Sequence, residues 1–296
     1  MGGITRNLGK QRPGDTVTIL FLMFLFFLTV LFYPVIPKAP VLLLLYSGLL
    51  AGQIMFFKLR NSGKFLSFFY DLIFPTICVL AVFDSLEWVV HYVNPEDIDP
   101  LLIRLDYLIF GNHPTVMLES VMHPLMTDLL QIAYTTYYFI PISLGVLLLR
   151  SNQREEFNKS LFLILFCFYL SYLGYLLFPA LGPRFTIAHL QSAELQGLFV
   201  TEPLQNLLNR LEGIKRDAFP SGHTGIVLTV LYLSYRYRRR FFLVVFPVAM
   251  ALLFSTVYCR YHYVVDVIAG SVLTLITIVF GEWYYAWWKK TRALHS

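Results

Sequence analysis

Charge is scarce in this sequence. Lys, Arg, Asp and Glu together make up 14% of the 296 residues, where a soluble domain carries about 25%. Hydrophobic residues make up 57%, more than one aqueous core can hide, so the bilayer is the natural solvent. Cysteine is nearly absent. Cys78 and Cys167 lie within apolar runs and Cys259 at the edge of one. No Cys-x-x-Cys or Cys/His ligand spacing occurs, which indicates neither a disulfide framework nor a metal site, and no cofactor is implied. No soluble domain, linker or low-complexity tract remains once the apolar runs are set aside. The first of those runs is too long for a signal-peptide core and no small-residue cleavage site follows it, so it is expected to stay as an anchor. In such a chain the net charge of +5 reads as cytoplasmic anchoring, and nucleic acid is not an expected partner.

What is present is a series of eight apolar stretches long enough to span a bilayer, near 16–36, 40–57, 65–82, 124–149, 160–178, 221–236, 241–258 and 264–288. The expected fold is therefore all-α, a polytopic membrane protein of about eight helices. The second stretch is interrupted by Gly48, Gly52 and Gln53. With a cytoplasmic N-terminus, sixteen basic residues fall on inner segments and seven on outer ones, as the positive-inside rule requires. An odd number of spans would spoil that alternation. Both termini are thus expected in the cytoplasm. Residues 1–64 form an N-terminal two-span extension and 65–296 a six-span core. The outer segment 83–123 is acidic, and within it Leu101, Leu102, Leu105, Leu108 and Ile109 recur at helical spacing. This predicts an interfacial helix near 98–123, serving as a lid or packing element or in admitting a lipid.

Chemistry concentrates at three span ends on the outer side. Asp217-Ala218-Phe219-Pro220-Ser221-Gly222-His223 leads into the sixth span. Ser221 is a favoured helix-capping type after a helix-starting proline, and a helix N-terminus is a ready anion site. Gly222 allows close approach by a bulky ligand, and His223 would project toward it. After the seventh span, His262 and Asp266 stand four residues apart, on one helix face. A carboxylate on one ring nitrogen fixes the tautomer and leaves the other as a nucleophile. The fifth span closes on Gly182-Pro183-Arg184, and a guanidinium there matches phosphate oxygens with paired donors. Arg260, Lys215 and Arg216 face the same compartment, the last two as solvated loop charge.

Gly-Pro-Arg, Pro-Ser-Gly-His and His-x-x-x-Asp, in that order, resemble the type 2 phosphatidic acid phosphatase superfamily over roughly the last 140 residues. The resemblance implies a six-span core, with His262 as nucleophile forming a phosphohistidine and Asp266 as its orienter. It implies His223 as general acid, Arg184 as phosphate clamp, and Ser221 and Gly222 as donors to the phosphate oxygens. Two departures stand out. The family's first motif has a lysine seven residues before an Arg-Pro pair, where this chain has Leu177 and the order Pro183-Arg184. The third motif has an arginine six residues before the histidine, where Thr256 stands; Arg260 is the candidate replacement. Thr256-Val257-Tyr258 and His262-Tyr263-x-x-Asp266, with two extra N-terminal spans, are similar to the inositol phosphorylceramide synthase branch. That branch transfers a phospho-head group to a sphingolipid hydroxyl.

The expected activity is thus a lipid phosphate hydrolase or phospho-head-group transferase, acting on a phospholipid or lipid phosphate with water or a lipid alcohol as acceptor. No metal is required, because Arg184 and helix-end amides can carry the developing charge. Within the fourth span, Asp128, Gln131, Thr135 and Tyr138 form one polar face. Asp128 is a candidate contact for a polar acceptor, while hydrogen bonds between spans explain the others equally well. Asp71 is buried in the third span with no partner legible in the sequence. Trp283, Tyr284, Tyr285, Trp287 and Trp288 form an aromatic belt at the inner interface. The rival reading, a proton-coupled transporter using the outer-face histidines, would want ionisable residues strung across the bilayer.

Overall fold

In the computed structural model, residues 11–211 and 215–293 are described; Arg6 and Lys10, expected on the inner side, lie outside them. The described residues form mainly α-helices, joined by turns and by two long connections, with no strand among them. Seven helices are long and apolar enough to cross a membrane: α1 (Pro13–Leu31), α2 (Ala39–Leu59), α3 (Lys64–Leu86), α5 (Pro124–Arg150), α6 (Arg154–Leu177), α9 (Arg239–Tyr258) and α10 (Val264–Ala293). The expected sixth stretch folds as α8 (Gly222–Tyr237), which has 16 residues and a length of about 24 Å. That falls short of the roughly 30 Å hydrocarbon core. Outside the spans, α4 (Asp99–Phe110) and α7 (Thr201–Leu211) lie in the two long connections.

Proline opens several spans. Pro13, Pro40 and Pro124 stand in the first turn of α1, α2 and α5, where the missing N–H costs no intrahelical bond. The second span is one continuous helix despite its glycines, and its Gln53 is buried. Centrally placed, α6 packs on α1, α3, α5, α8 and α10. Helices α8 and α10 approach closely because Gly270 has no side chain; a Cβ there would press on Ser221 and Thr224.

Ion pairs gather at the bundle end away from the Ser221 and His262 turns. Arg12 donates to Asp71 at 2.8 Å and to Asp15 at 3.0 Å, and Gln53 donates to Asp15 at 3.0 Å. Tyr70 also donates to Asp15, and Arg154 grips both oxygens of Asp71. Four spans, α1, α2, α3 and α6, meet in this network. Asp71, unpartnered in the sequence, is therefore doubly paired, as a charge buried at membrane depth must be. It sits on a π-helical turn, Phe69–Ile73, a local widening that sequence periodicity does not announce.

Candidate site at the head of the short helix

Ser221 has extended backbone angles and its Oγ accepts the Thr224 N–H at 3.3 Å, the expected N-cap of α8. Its own N–H donates to the Asp266 carbonyl at 3.1 Å, and Gly222 lies against the Tyr175 hydroxyl with no room for a Cβ. The Ser221 amide is thus engaged within the protein. His223, in the first turn, is buried between two rings of α5, Tyr134 at 4.4 Å and Tyr137 at 4.2 Å between centroids. Its Nε2 is buried without a hydrogen-bond partner.

Neither tyrosine belongs to the expected polar face of Asp128, Gln131, Thr135 and Tyr138. The cause is a 3₁₀ turn at Thr136–Tyr138. Three residues per turn replace 3.6 there, bringing Tyr134 and Tyr137 into register on the site side while Thr135 and Tyr138 sit half-buried. Gln131 does face inward, donating to the Tyr261 hydroxyl at 2.8 Å. Tyr261 in turn stacks on Tyr134 with centroids 4.2 Å apart.

His262 lies in the turn between α9 and α10. Its N–H donates to the Thr256 carbonyl at 2.9 Å. Nδ1 is 2.8 Å from the Ala218 carbonyl and 3.5 Å from Asp266 Oδ2. His262 stands just before α10 begins at Val264, yet the expected contact with Asp266 four residues on is kept. The shorter contact of the ring is the Ala218 carbonyl, while Asp266 accepts the Tyr263 N–H at 2.8 Å in a reach back to the start of α10. A hydrogen on Nδ1, shared with Ala218, leaves the Nε2 lone pair directed at His223, whose Nδ1 is 3.5 Å away. Burial is the largest influence on the ring and pushes His262 down to about 4. The Asp217 carboxylate and the Ala218 carbonyl pull it upward, and the nearby Arg184 adds a downward push.

Arg184 follows a turn that only glycine accommodates readily. Gly182 has φ of 88°, and a Cβ on it would collide with the Tyr261 carbonyl. The Arg184 N–H donates to the Arg260 carbonyl at 3.1 Å, and its guanidinium lies 5.1 Å from the centre of the Tyr261 ring. Two candidates from the sequence, Arg260 and Asp128, are directed elsewhere, as is the Thr256 that stands where the family has an arginine. Arg260, with φ of 65°, sends its guanidinium to Glu119 at 2.8 Å and the Ala193 carbonyl at 2.6 Å. Asp128 accepts the backbone N–H groups of Leu198, Phe199, Val200 and Thr201, pinning the loop before α7. Thr256 is fully buried and turns its hydroxyl back to the Leu253 carbonyl. Of the two loop cations, Arg216 pairs with Asp97 at 2.7 Å and the Lys215 amide donates to Glu87.

An apolar cleft of about 980 Å³, counting its open mouth, runs between α3, α5 and α6 and ends at His223 and Asp217. Its walls are side chains such as Leu72, Val79, Phe83, Ile142, Leu161 and Phe168.

Comparison with known proteins bears on this arrangement. Residues 101–280, more than half of the chain, match the PAP2 superfamily. A Dictyostelium discoideum protein described as a PA-phosphatase related-family protein is 25% identical over 186 residues, covering 56% of this chain and 34% of that protein. The chain thus spans about a third of the length of that relative. No solved structure matches the chain.

Proposed function

The chain belongs to the PAP2 superfamily, and from that premise we propose that it is a membrane enzyme acting on the phosphate of a lipid through a phosphohistidine on His262. The observation that carries this reading is the apposition of the two imidazoles, 3.5 Å apart, at the head of an apolar cleft between spans. The apolar lining of the cleft suits an acyl chain, and the histidines at its end suit a phosphorus centre once the rings part.

In the first half-reaction His262 Nε2 attacks phosphorus, the P–N bond forms, and the bond from phosphorus to the departing oxygen breaks. That oxygen takes its proton from His223. In the second, water or a lipid alcohol attacks the phosphohistidine, gives its proton to His223, and the P–N bond breaks. The Ala218 carbonyl holds the Nδ1 hydrogen, with Asp266 beside it, and stabilises the positive charge that the ring gains. Arg184 is the arginine set beside His262, while Arg260 and Arg216 are paired with Glu119 and Asp97. The Thr256 and Pro183-Arg184 departures favour head-group transfer to a lipid alcohol over monoester hydrolysis. The active side is the outer face, opposite the cytoplasmic termini.

The test uses purified protein in vesicles with radiolabelled phospholipid, with and without ceramide or diacylglycerol. A new labelled lipid supports the transferase, and released inorganic phosphate supports the hydrolase. An acid-labile, alkali-stable phosphoprotein is expected in both cases. Turnover surviving in His262→Ala would sink the assignment of the nucleophile.

A further inference from the structure

Helix α4 carries two carboxylates that reach the site turns without reaching His223 or His262. Asp99 and Asp106 are seven residues apart, two turns along one helix face, and are 2% and 1% exposed. Asp106 accepts the Val264 N–H through Oδ2 and the Val265 N–H through Oδ1, each at 3.0 Å. Asp99 accepts the Leu181 N–H at 2.8 Å, the Gly182 N–H at 2.9 Å and the Tyr263 hydroxyl at 2.8 Å.

The first amides of a helix have no partner within it. In α10 they are satisfied from two directions: Tyr263 by Asp266 of the same helix, Val264 and Val265 by Asp106 of another. His262 is the residue just before this capped turn. Gly182, held by Asp99, stands two residues before Arg184. The same two carboxylates therefore fix the two turns from which a nucleophile and a cation would face one phosphate. A packing element has no need of this arrangement, since any apolar contact would seat α4 on α10. Buried carboxylates are costly unless their hydrogen bonds are met, and here every bond goes to a site turn.

We infer that Asp99 and Asp106 are positioning residues, with α4 a template that holds the Arg184 turn by one carboxylate and the His262 turn by the other. The inference rests on the roles proposed above for His262 and Arg184. Because Asp106 acts through the attacking ring, its loss lowers kcat. Because Asp99 acts through the guanidinium that binds phosphate before and during reaction, its loss raises KM.

The experiment uses the full chain in detergent or nanodiscs, with Asp106→Asn, Asp99→Asn and Glu96→Gln, an exposed residue on the same segment. Asparagine keeps the shape but cannot accept both amides. Misplacing a reacting group costs up to about 100-fold, so Asp106→Asn is expected to lose about 10- to 100-fold in kcat with KM little changed. Asp99→Asn is expected to raise KM about 10-fold with a smaller change in kcat, while Glu96→Gln matches the wild type. An Asp→Ser variant, with one acceptor oxygen, replaces any asparagine that fails to fold. The inference is overturned if both variants stay within twofold of the wild type, or if both lose kcat and KM alike together with thermal stability. Amide exchange reads the template independently of turnover. Faster exchange near 262–266 in Asp106→Asn alone, and near 180–186 in Asp99→Asn alone, supports it; no change, or the same change in both, overturns it. A wild type with no activity on any phospholipid sinks the functional reading instead, and the exchange pattern still decides the template.

Discussion

A buried imidazole that must attack phosphorus has to be neutral, and the surroundings of His262 decide the pH at which it becomes so. Burial pushes it down to about 4 from about 6.5 in solution. At pH 5 a group titrating at 4 is about 90% neutral, whereas one at 6.5 is about 3% neutral, a ratio of about 30. The acid limb of kcat/KM is therefore expected near pH 4 and not near 6.5, with activity retained at pH 5. The limb belongs to the His223–His262 pair as a unit, so nitrogen-15 NMR of histidine-labelled protein supplies the direct reading. It is expected to show the His262 ring neutral at pH 5, with the hydrogen on Nδ1. Asp217→Asn removes an upward pull and moves the limb lower still. The same shift has a stability consequence, with a definite sign. The unfolded chain takes up this proton below about 6.5 while the folded one does not, so the full stability is present above that pH. It declines as pH falls toward 4 and levels off below, a loss of roughly 3 kcal/mol from this group. An acid limb near 6.5, or a protonated His262 at pH 5, would refute the buried-neutral picture.

Two further outcomes test the walls of the site. Gly182→Ala forces a side chain onto a φ of 88° and against the Tyr261 carbonyl, at a cost of about 1–3 kcal/mol, seen as a lowered thermal midpoint and a larger loss of turnover. Tyr134→Leu removes the ring stacked on His223, an interaction of about 0.5–1.5 kcal/mol, and is expected to lower kcat by up to about 10-fold in steady-state assays.

The spans were legible because apolar runs bounded by basic residues and prolines declare themselves. Each expected stretch lies within a few residues of a helix, from Pro13 to Ala293. The meeting of the three motif turns was legible too, since their order at the span ends places them on one side, and there the His223, His262 and Arg184 turns touch. What was hidden depends on backbone detail or distant partners. Asp71 looked solitary because Arg12 and Arg154 lie 59 and 83 positions away. Tyr134 and Tyr137 were missed because a 3₁₀ turn shifts the inward face of α5. Arg260 was read as a replacement phosphate ligand, but its left-handed backbone aims it at Glu119. The Ala218 carbonyl carries no signature at all, since every residue offers one. Asp99 and Asp106 were visible only as members of an acidic segment, and their direction came from the helix that carries them.

The same restraints say how the site must open. A near-attack approach needs about 3–3.5 Å from the nucleophilic nitrogen to phosphorus alone, and the departing oxygen and its proton donor lie beyond that. A gap of 3.5 Å between the rings cannot hold a phosphoryl group, so substrate entry has to separate them. His262 is fixed through its N–H by Thr256, through its ring by Ala218, and through the next turn by Asp106. His223 has an unpartnered Nε2 and is held in its slot by stacking on Tyr134 and Tyr137. Stacking tolerates sliding where a set of directed hydrogen bonds does not. On the proposed mechanism the phosphate enters by displacing His223 along the faces of the two tyrosines, toward the cleft that already ends at that ring, while His262 stays in place to attack.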